Sequence, residues 1–298
     1  MKALHDVPAP AKLNLFLHVV GRRPDGYHLL QTVFRFIDLA DTLDFERVRG
    51  GGLSREGDVP PGLAEADDLV LRAAHALQQA TGTRQGAHIR YRKSIPAGGG
   101  LGGGSSDAAT TLIALNRLWG TGLDRAALLR LALPLGADVP VFVFGQPAFA
   151  QGVGEDLTPV VLPDQAYLVI RPALHVATAD VFQDPDLTRN TPSVKISVFA
   201  EWQSGRLGFF GRNDLADVVF RRHPQMPGIV RVLQDMGLDA RMTGSGSCLF
   251  VQMADLAQAR MHQGRIISKM ASFGDGRIQQ VWACQGLQDH PLRHWISG

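Results

Sequence analysis

PAGGGLGGGSSDAA, Pro96 to Ala109, is the stretch on which the fold turns. An alternating segment, His88 to Ile95, runs straight into it and predicts a strand. Beyond it, Ala108, Leu112, Leu115 and Trp119 recur at helical spacing and stop at Gly120. That pattern predicts a helix opening near Ser105 or Ser106. Six glycines around Leu101 therefore lie between a strand and a helix N-terminus. Without Cβ atoms the backbone turns tightly and brings its N–H groups up to an anion. The helix start adds unpaired donors and partial positive charge, and Ser105 and Ser106 add hydroxyls. The arrangement suits a di- or triphosphate better than a linker, because both flanks are structured.

The loop is not a Walker A motif, since no Lys follows Gly104. It contains a formal G-x-G-x-x-G at Gly98, Gly100 and Gly103. A dinucleotide fold also requires an acid at the end of the next strand. Asp124 has the spacing but lies between two helical patterns, so the dinucleotide reading is weak.

Outward from the loop, PAKLNLFLHVVG, Pro10 to Gly21, alternates Leu13, Leu15, Leu17 and Val19 as a strand does. Pro24-Asp25-Gly26 supplies a turn after it. Arg49 to Gly62 reads as a surface loop. Leu69, Ala73, Ala76 and Ala80 predict a helix stopped at Gly82. Two prolines and a polar stretch around Thr158 to Gln165 precede an apolar strand, Tyr167 to Ile170. The domain boundary is placed there, giving domains 1–162 and 163–298. The second contains a helix opened by Pro227 and closed by Gly237, then the strand Leu249 to Val251. Strands and helices mixed without strict alternation predict an α+β fold.

The bulk properties exclude several classes. In 298 residues, hydrophobic side chains make up 45% and charged ones 19%, which builds cores rather than a disordered chain. The net charge of +2 comes from scattered Arg, so nucleic acid is not an indicated partner. Cys248 and Cys284 have no metal spacing and form no disulfide framework. No leader or membrane-length apolar run is expected, which makes a cytoplasmic enzyme the default. No single feature marks a dimer interface, which leaves a monomer and a weak homodimer both open.

Three further features carry chemistry. Lys12 and Asn14 interrupt the first strand; a Lys alone there would by default face solvent. Asp138, in LGADVPVFVFG, reads equally as a helix N-cap before Pro140 and as a proton acceptor beside an apolar run. Thr243-Gly244-Ser245-Gly246-Ser247 reads as a hairpin turn, and Cys248 after it as a small buried hydrophobe.

PAKLNLFLHVVG, PAGGGLGGGSSDAA and RMTGSGSCLF, in this order and at these separations, resemble the GHMP small-molecule kinases. GRRPDGYHLLQTVF, LGADVPVFVFG and VFQDPDLTRNTP are similar to the branch of that family acting on a cytidylated methylerythritol. The resemblance implies ATP-dependent phosphorylation of an alcohol with Mg²⁺, in non-mevalonate isoprenoid synthesis. It implies an N-terminal domain like domain 2 of ribosomal protein S5, a ferredoxin-like C-terminal domain, and an active site between them. Lys12 and Asp138 match the family's catalytic pair, and Asn14 a residue touching the polyol. Tyr27, His28 and Phe182 match the cytidine pocket, with Thr178 nearby, and Tyr27 is expected to face Phe182 across the base. Lys93 and Pro96 match the nucleotide side. Gly98, Gly99, Gly100, Leu101, Gly102, Gly103, Gly104, Ser105 and Ser106 match its phosphate loop. Asp68 departs from the family, where Asn is frequent, and Asp107 is an acid close to the anionic groups. Mevalonate- or homoserine-type acceptors, or a non-catalytic nucleotide-binding protein on the same fold, are the alternatives.

Overall fold

The computed structural model describes residues 1–59, 62–205, 210–273 and 276–297. The first part of the chain runs β1 (Ala3–Arg22), β2 (His28–Arg49), β3 (Leu53–Gly57), α1 (Leu69–Thr81), β4 (Gln85–Arg92), α2 (Gly103–Trp119), α3 (Arg125–Ala132), α4 (Val139–Phe144), β5 (Ala148–Gln151) and β6 (Asp156–Pro159). The second runs β7 (Ala166–Pro172), α5 (Thr178–Phe182), α6 (Ile196–Gly205), α7 (Ala216–Arg222), α8 (Gln225–Asp235), β8 (Arg241–Met242), β9 (Leu249–Met253), α9 (Leu256–Phe273) and β10 (Ile278–Leu287).

β1 and β2 are antiparallel partners, with Lys12 opposite Phe36 and Asn14 opposite Phe34. β2 also pairs with β4 and β5, and β5 with β6. In the second part β7 lies between β9 and β10, and β8 folds back on β9 as a hairpin. β10 finally sets Gly286 and Leu287 against Ile37 and Phe36 of β2, so one sheet runs through both parts.

β1 decides where the site lies. Its register slips at several points, which redirects side chains along its length. Val7 and Ala9 enter one hydrophobic core, Ala11 and Leu13 a second, Leu17 and Val19 a third. Every residue from Ala9 to Val19 is buried. Lys12 is 3% exposed, so the default of a solvent-facing strand lysine does not hold.

α2 is buried around most of its circumference rather than along one stripe, because α1 and α4 pack against it opposite β1. Gly120, at φ 65°, closes it as the sequence predicts. Asp124 accepts a hydrogen bond from the Ala127 amide at 2.7 Å. It is the N-cap of α3, and the dinucleotide reading loses its acid.

The expected loop from Arg49 to Gly62 contains β3, parallel to β4; Pro60 and Pro61 lie outside the described residues. The glycines there serve close strand contact. A Cβ on Gly86 would stand 2.1 Å from the Gly52 carbonyl oxygen, and one on Gly57 2.1 Å from that of Tyr91.

Leu292 and Ile296 return from the second part to the first core. His290 anchors this return, with its ring edge-on to Phe36 and Phe142 and its Nδ1 accepting from the Leu292 amide at 3.1 Å. Burial, with help from the Arg125 charge, pushes its pKa down to about 3. Below about pH 6.5 the unfolded chain therefore takes up a proton here that the folded chain refuses, and stability falls with pH by up to about 1.4 kcal/mol per unit. His290→Gln is expected to remove this part of the slope in urea unfolding between pH 6.5 and 5. An unchanged slope would mean that the ring is charged in the fold.

Candidate active site

The site residues that the family resemblance implies line one cavity of about 960 Å³ between the two parts, Ser106 excepted. Ser106 is fully buried, and its hydroxyl donates to the Pro10 carbonyl at 2.7 Å. It ties α2 to β1 and does not face the cavity.

The loop before α2 crosses β1 and the hairpin turn of β8 and β9. The Lys12 amide donates to the Leu101 carbonyl at 3.0 Å, and the Cys248 amide to that of Gly99 at 3.2 Å. A Cβ on Gly100 would stand 2.3 Å from the Thr243 carbonyl oxygen. Thr243 Oγ1 in turn accepts from the Asn14 amide at 2.8 Å. The expected hairpin turn is thus also one wall against which the glycine loop packs. Cys248 is wholly buried, and burial pushes its thiol up to about 12, so it packs as a hydrophobe. Gly102, at φ 74°, precedes the 17-residue helix α2, whose first amides open toward the cavity beside Gly103, Gly104 and Ser105.

Lys12 Nζ stands 3.1 Å from Asp138 Oδ2 and donates to Asn14 Oδ1 at 2.6 Å. The Asn14 amide nitrogen donates to Thr32 Oγ1 at 2.9 Å, which fixes its carbonyl toward the lysine. Asp138 occupies the N-cap position of α4 but makes no capping hydrogen bond. Its carboxylate is turned to Lys12 and is 36% exposed, open to the cavity on its other side. The capping reading of this acid therefore lacks its hydrogen bond.

Lys93 donates to both Asp41 and Asp107. Burial opposes its charge, but the two carboxylates outweigh that and hold its pKa above the ordinary lysine value. Asp107 moves up because of burial and the neighbouring Asp41, with Lys93 acting against this. Asp41, wholly buried, also accepts from the amides of Ser94 and Ile95 and so pins the chain entering the loop. Nothing in the sequence marked Asp41: it sits mid-strand in β2, 52 residues from its lysine. Asp68 caps α1 through the Val70 amide at 2.8 Å, and meets Tyr91 Oη at 2.9 Å and Arg55 Nε at 2.8 Å. An ionised acid suits this place because an arginine has been buried beside it.

At the far end of the cavity the His28 and Phe182 rings lie 5.1 Å apart, inclined by 36°. The expected Tyr27–Phe182 pair is not formed. Tyr27 sits at the tip of the turn after Gly26 and is 63% exposed. Thr178, at the start of α5, shares a 2.7 Å hydrogen bond with Ser245. Among the described residues, no group of three or more His, Cys, Asp or Glu is gathered for a metal. None of the described helices is long and apolar enough to cross a membrane.

A glycine loop at a helix start, an acid beside a buried lysine, and a second glycine turn closing over the loop define a small-molecule phosphotransferase. Residues 68–146 match the GHMP kinases N terminal domain and residues 200–274 the GHMP kinases C terminal domain; the chain belongs to the GHMP kinase family. Within it, the chain falls among the 4-diphosphocytidyl-2-C-methyl-D-erythritol kinases. The protein so named from Bordetella parapertussis is 61% identical, over 99% of both chains. That from Cupriavidus metallidurans is 52% identical, over 97% of this chain and 95% of the relative. A crystal structure of 4-(cytidine 5'-diphospho)-2C-methyl-D-erythritol kinase superposes with a TM-score of 0.78 at 37% identity, covering 94% of this chain and 98% of the other.

Two variants test the geometry. Asp138→Asn keeps the shape but removes the base; turnover should fall about 10²–10⁴-fold with the substrate KM values little changed. Near-normal turnover would return Asp138 to helix capping. Gly100→Ala drives a Cβ into the Thr243 carbonyl at a left-handed φ of 75°. It should cost about 1–3 kcal/mol of stability and raise the ATP KM about tenfold or more. Thermal melts and initial rates check both effects, and an unaltered ATP KM would separate the loop from the nucleotide.

Proposed function

We propose that the protein transfers the γ-phosphoryl group of ATP to the 2-hydroxyl of 4-diphosphocytidyl-2-C-methyl-D-erythritol. The products are ADP and the 2-phosphate, in the non-mevalonate route to isoprenoids, and the place of action is the cytoplasm. The observation that carries the proposal is the Lys12–Asp138 pair at 3.1 Å, set between the glycine loop and the His28–Phe182 end of one cavity.

The acceptor is a tertiary alcohol, crowded and weakly nucleophilic, so orientation counts as much as deprotonation. Asp138 accepts the hydroxyl hydrogen and aims the oxygen at the phosphorus. Lys12, held by Asn14, stays beside the transferring group and offsets its charge. The amides of Gly98 to Ser105 cradle the triphosphate, because phosphoryl transfer rests chiefly on positioning and electrostatics. Mg²⁺ would neutralise the phosphate oxygens, with Asp107 the residue to hold it: its Oδ1 is buried, without a hydrogen-bond partner, and the residue lines the cavity. Tyr27, His28 and Phe182 take the cytosine, with Tyr27 closing onto the base from its exposed position.

ATP consumption measured with the cytidylated acceptor, its uridine analogue, mevalonate and homoserine tests the proposal. Turnover is expected with the first alone; turnover of mevalonate or homoserine without it would move the protein to another GHMP branch. Phe182→Ala should weaken the cytidylated acceptor about 5- to 100-fold, the range of one lost base stack, and leave the ATP KM alone. Equal losses for both substrates would place the base elsewhere.

A further inference from the structure

Arg189 lies in the connection after α5 and has no role in the reaction just described. All five of its N–H groups have acceptors. Nη2 donates to the carbonyls of Phe182 at 3.1 Å and Asp184 at 2.6 Å, and Nη1 to those of Leu187 at 3.1 Å and Pro185 at 3.3 Å. The fifth, Nε, donates to Nε2 of His28 at 3.0 Å.

The connection itself is held at both ends. The Asp184 carboxylate, 3% exposed, accepts from Arg221 and Arg222 of α7, each at 2.6 Å. The Thr191 amide donates to the Val19 carbonyl of β1 at 3.1 Å. Arg189 therefore reaches His28 from a fixed frame.

A guanidinium only donates. His28 Nε2 must then present its lone pair, which leaves the ring hydrogen on Nδ1. We infer that Arg189 is a positioning residue, which locks His28 in the Nδ1–H tautomer and thereby sets the hydrogen-bond pattern that the nucleobase meets. The inference rests on the cytidylated acceptor proposed above. A fixed donor suits the O2 and N3 acceptors of cytosine but opposes the N3–H of uracil. The surroundings favour the uncharged ring: burial lowers the His28 pKa, and Arg189 and Arg22 add to this. Asp25, on the same turn, is already paired with Arg23 at 2.7 Å.

The test begins with ¹⁵N NMR of the histidines in ligand-free wild-type protein. His28 is expected as a single Nδ1–H tautomer at pH 8, with its titration displaced below the ordinary histidine range. In Arg189→Ala its titration should move up toward the ordinary range, with burial and Arg22 still acting against it, and the ring should sample both tautomers. The KM for the cytidylated acceptor should rise about 2- to 10-fold, the loss of one neutral hydrogen bond, with the ATP KM unchanged. Discrimination against the uridine analogue should shrink. An imidazolium carries hydrogen on both nitrogens, so the loss should be smaller at pH 6 than at pH 8, which a merely structural defect would not produce. Arg189→Lys, keeping one donor, should recover part of the affinity.

A wild-type His28 carrying its hydrogen on Nε2, or titrating normally, overturns the inference even if the alanine variant fails to fold. So does a loss that is equal for ATP and acceptor and flat with pH. If the wild-type protein turns over no cytidylated acceptor, the proposed function fails while the tautomer result stands.

Discussion

Two glycine loops from opposite parts of the chain touch backbone to backbone, and the cavity exists because they can. The Cys248 amide donates to the Gly99 carbonyl while its thiol packs over Gly99, and Cβ atoms on Gly100 and Gly244 would stand 2.3 Å and 2.8 Å from the carbonyl oxygens of Thr243 and Gly100. Asn14 of β1 joins both through Thr243 and Lys12. Glycine loop, lysine and the aromatic end of the cavity are therefore spaced by main-chain contacts, which flex far less than long side chains do. Any substitution that widens this contact shifts the glycine loop relative to Asp138.

The charges of the site divide into two groups with different environments. Lys93 sits between two buried carboxylates, Asp41 holding the entry to the loop and Asp107 keeping one oxygen without a hydrogen-bond partner. Lys12 shares a single carboxylate, and that carboxylate is open to the cavity. The first arrangement favours rigidity, because breaking one member would strand a buried charge. The second leaves an acid free to meet a ligand.

Much of this was legible in the sequence where the signal was local. The glycine loop, the helix after it and the Lys12–Asn14 strand announce themselves in short stretches; Asp138 stands out locally as cap or acid alike, and family resemblance points to the aromatic rings but pairs Phe182 with Tyr27, where His28 meets it. What escaped notice depends on partners far along the chain. Asp41 looks like any polar residue in a strand until Lys93 folds against it. β3 hid in a glycine-rich segment because glycine marks both loops and tightly apposed strands. The burial of Lys12 depends on register slips in β1, which no period-two pattern reveals. Ser106 belongs to the loop by sequence, yet the turn of α2 points it at Pro10.

The return of Leu292 and Ile296 to the first core bears on how the protein is made. A ribosome delivers β1 to β6 early, and N-terminal domains commonly fold while synthesis continues. Here the first core lacks these two residues, and β2 lacks its pairing with Gly286 and Leu287, until the last elements have left the exit tunnel. During translation the first half waits as an unfinished hydrophobic surface beside an open strand edge, the kind of surface that holdase chaperones cover.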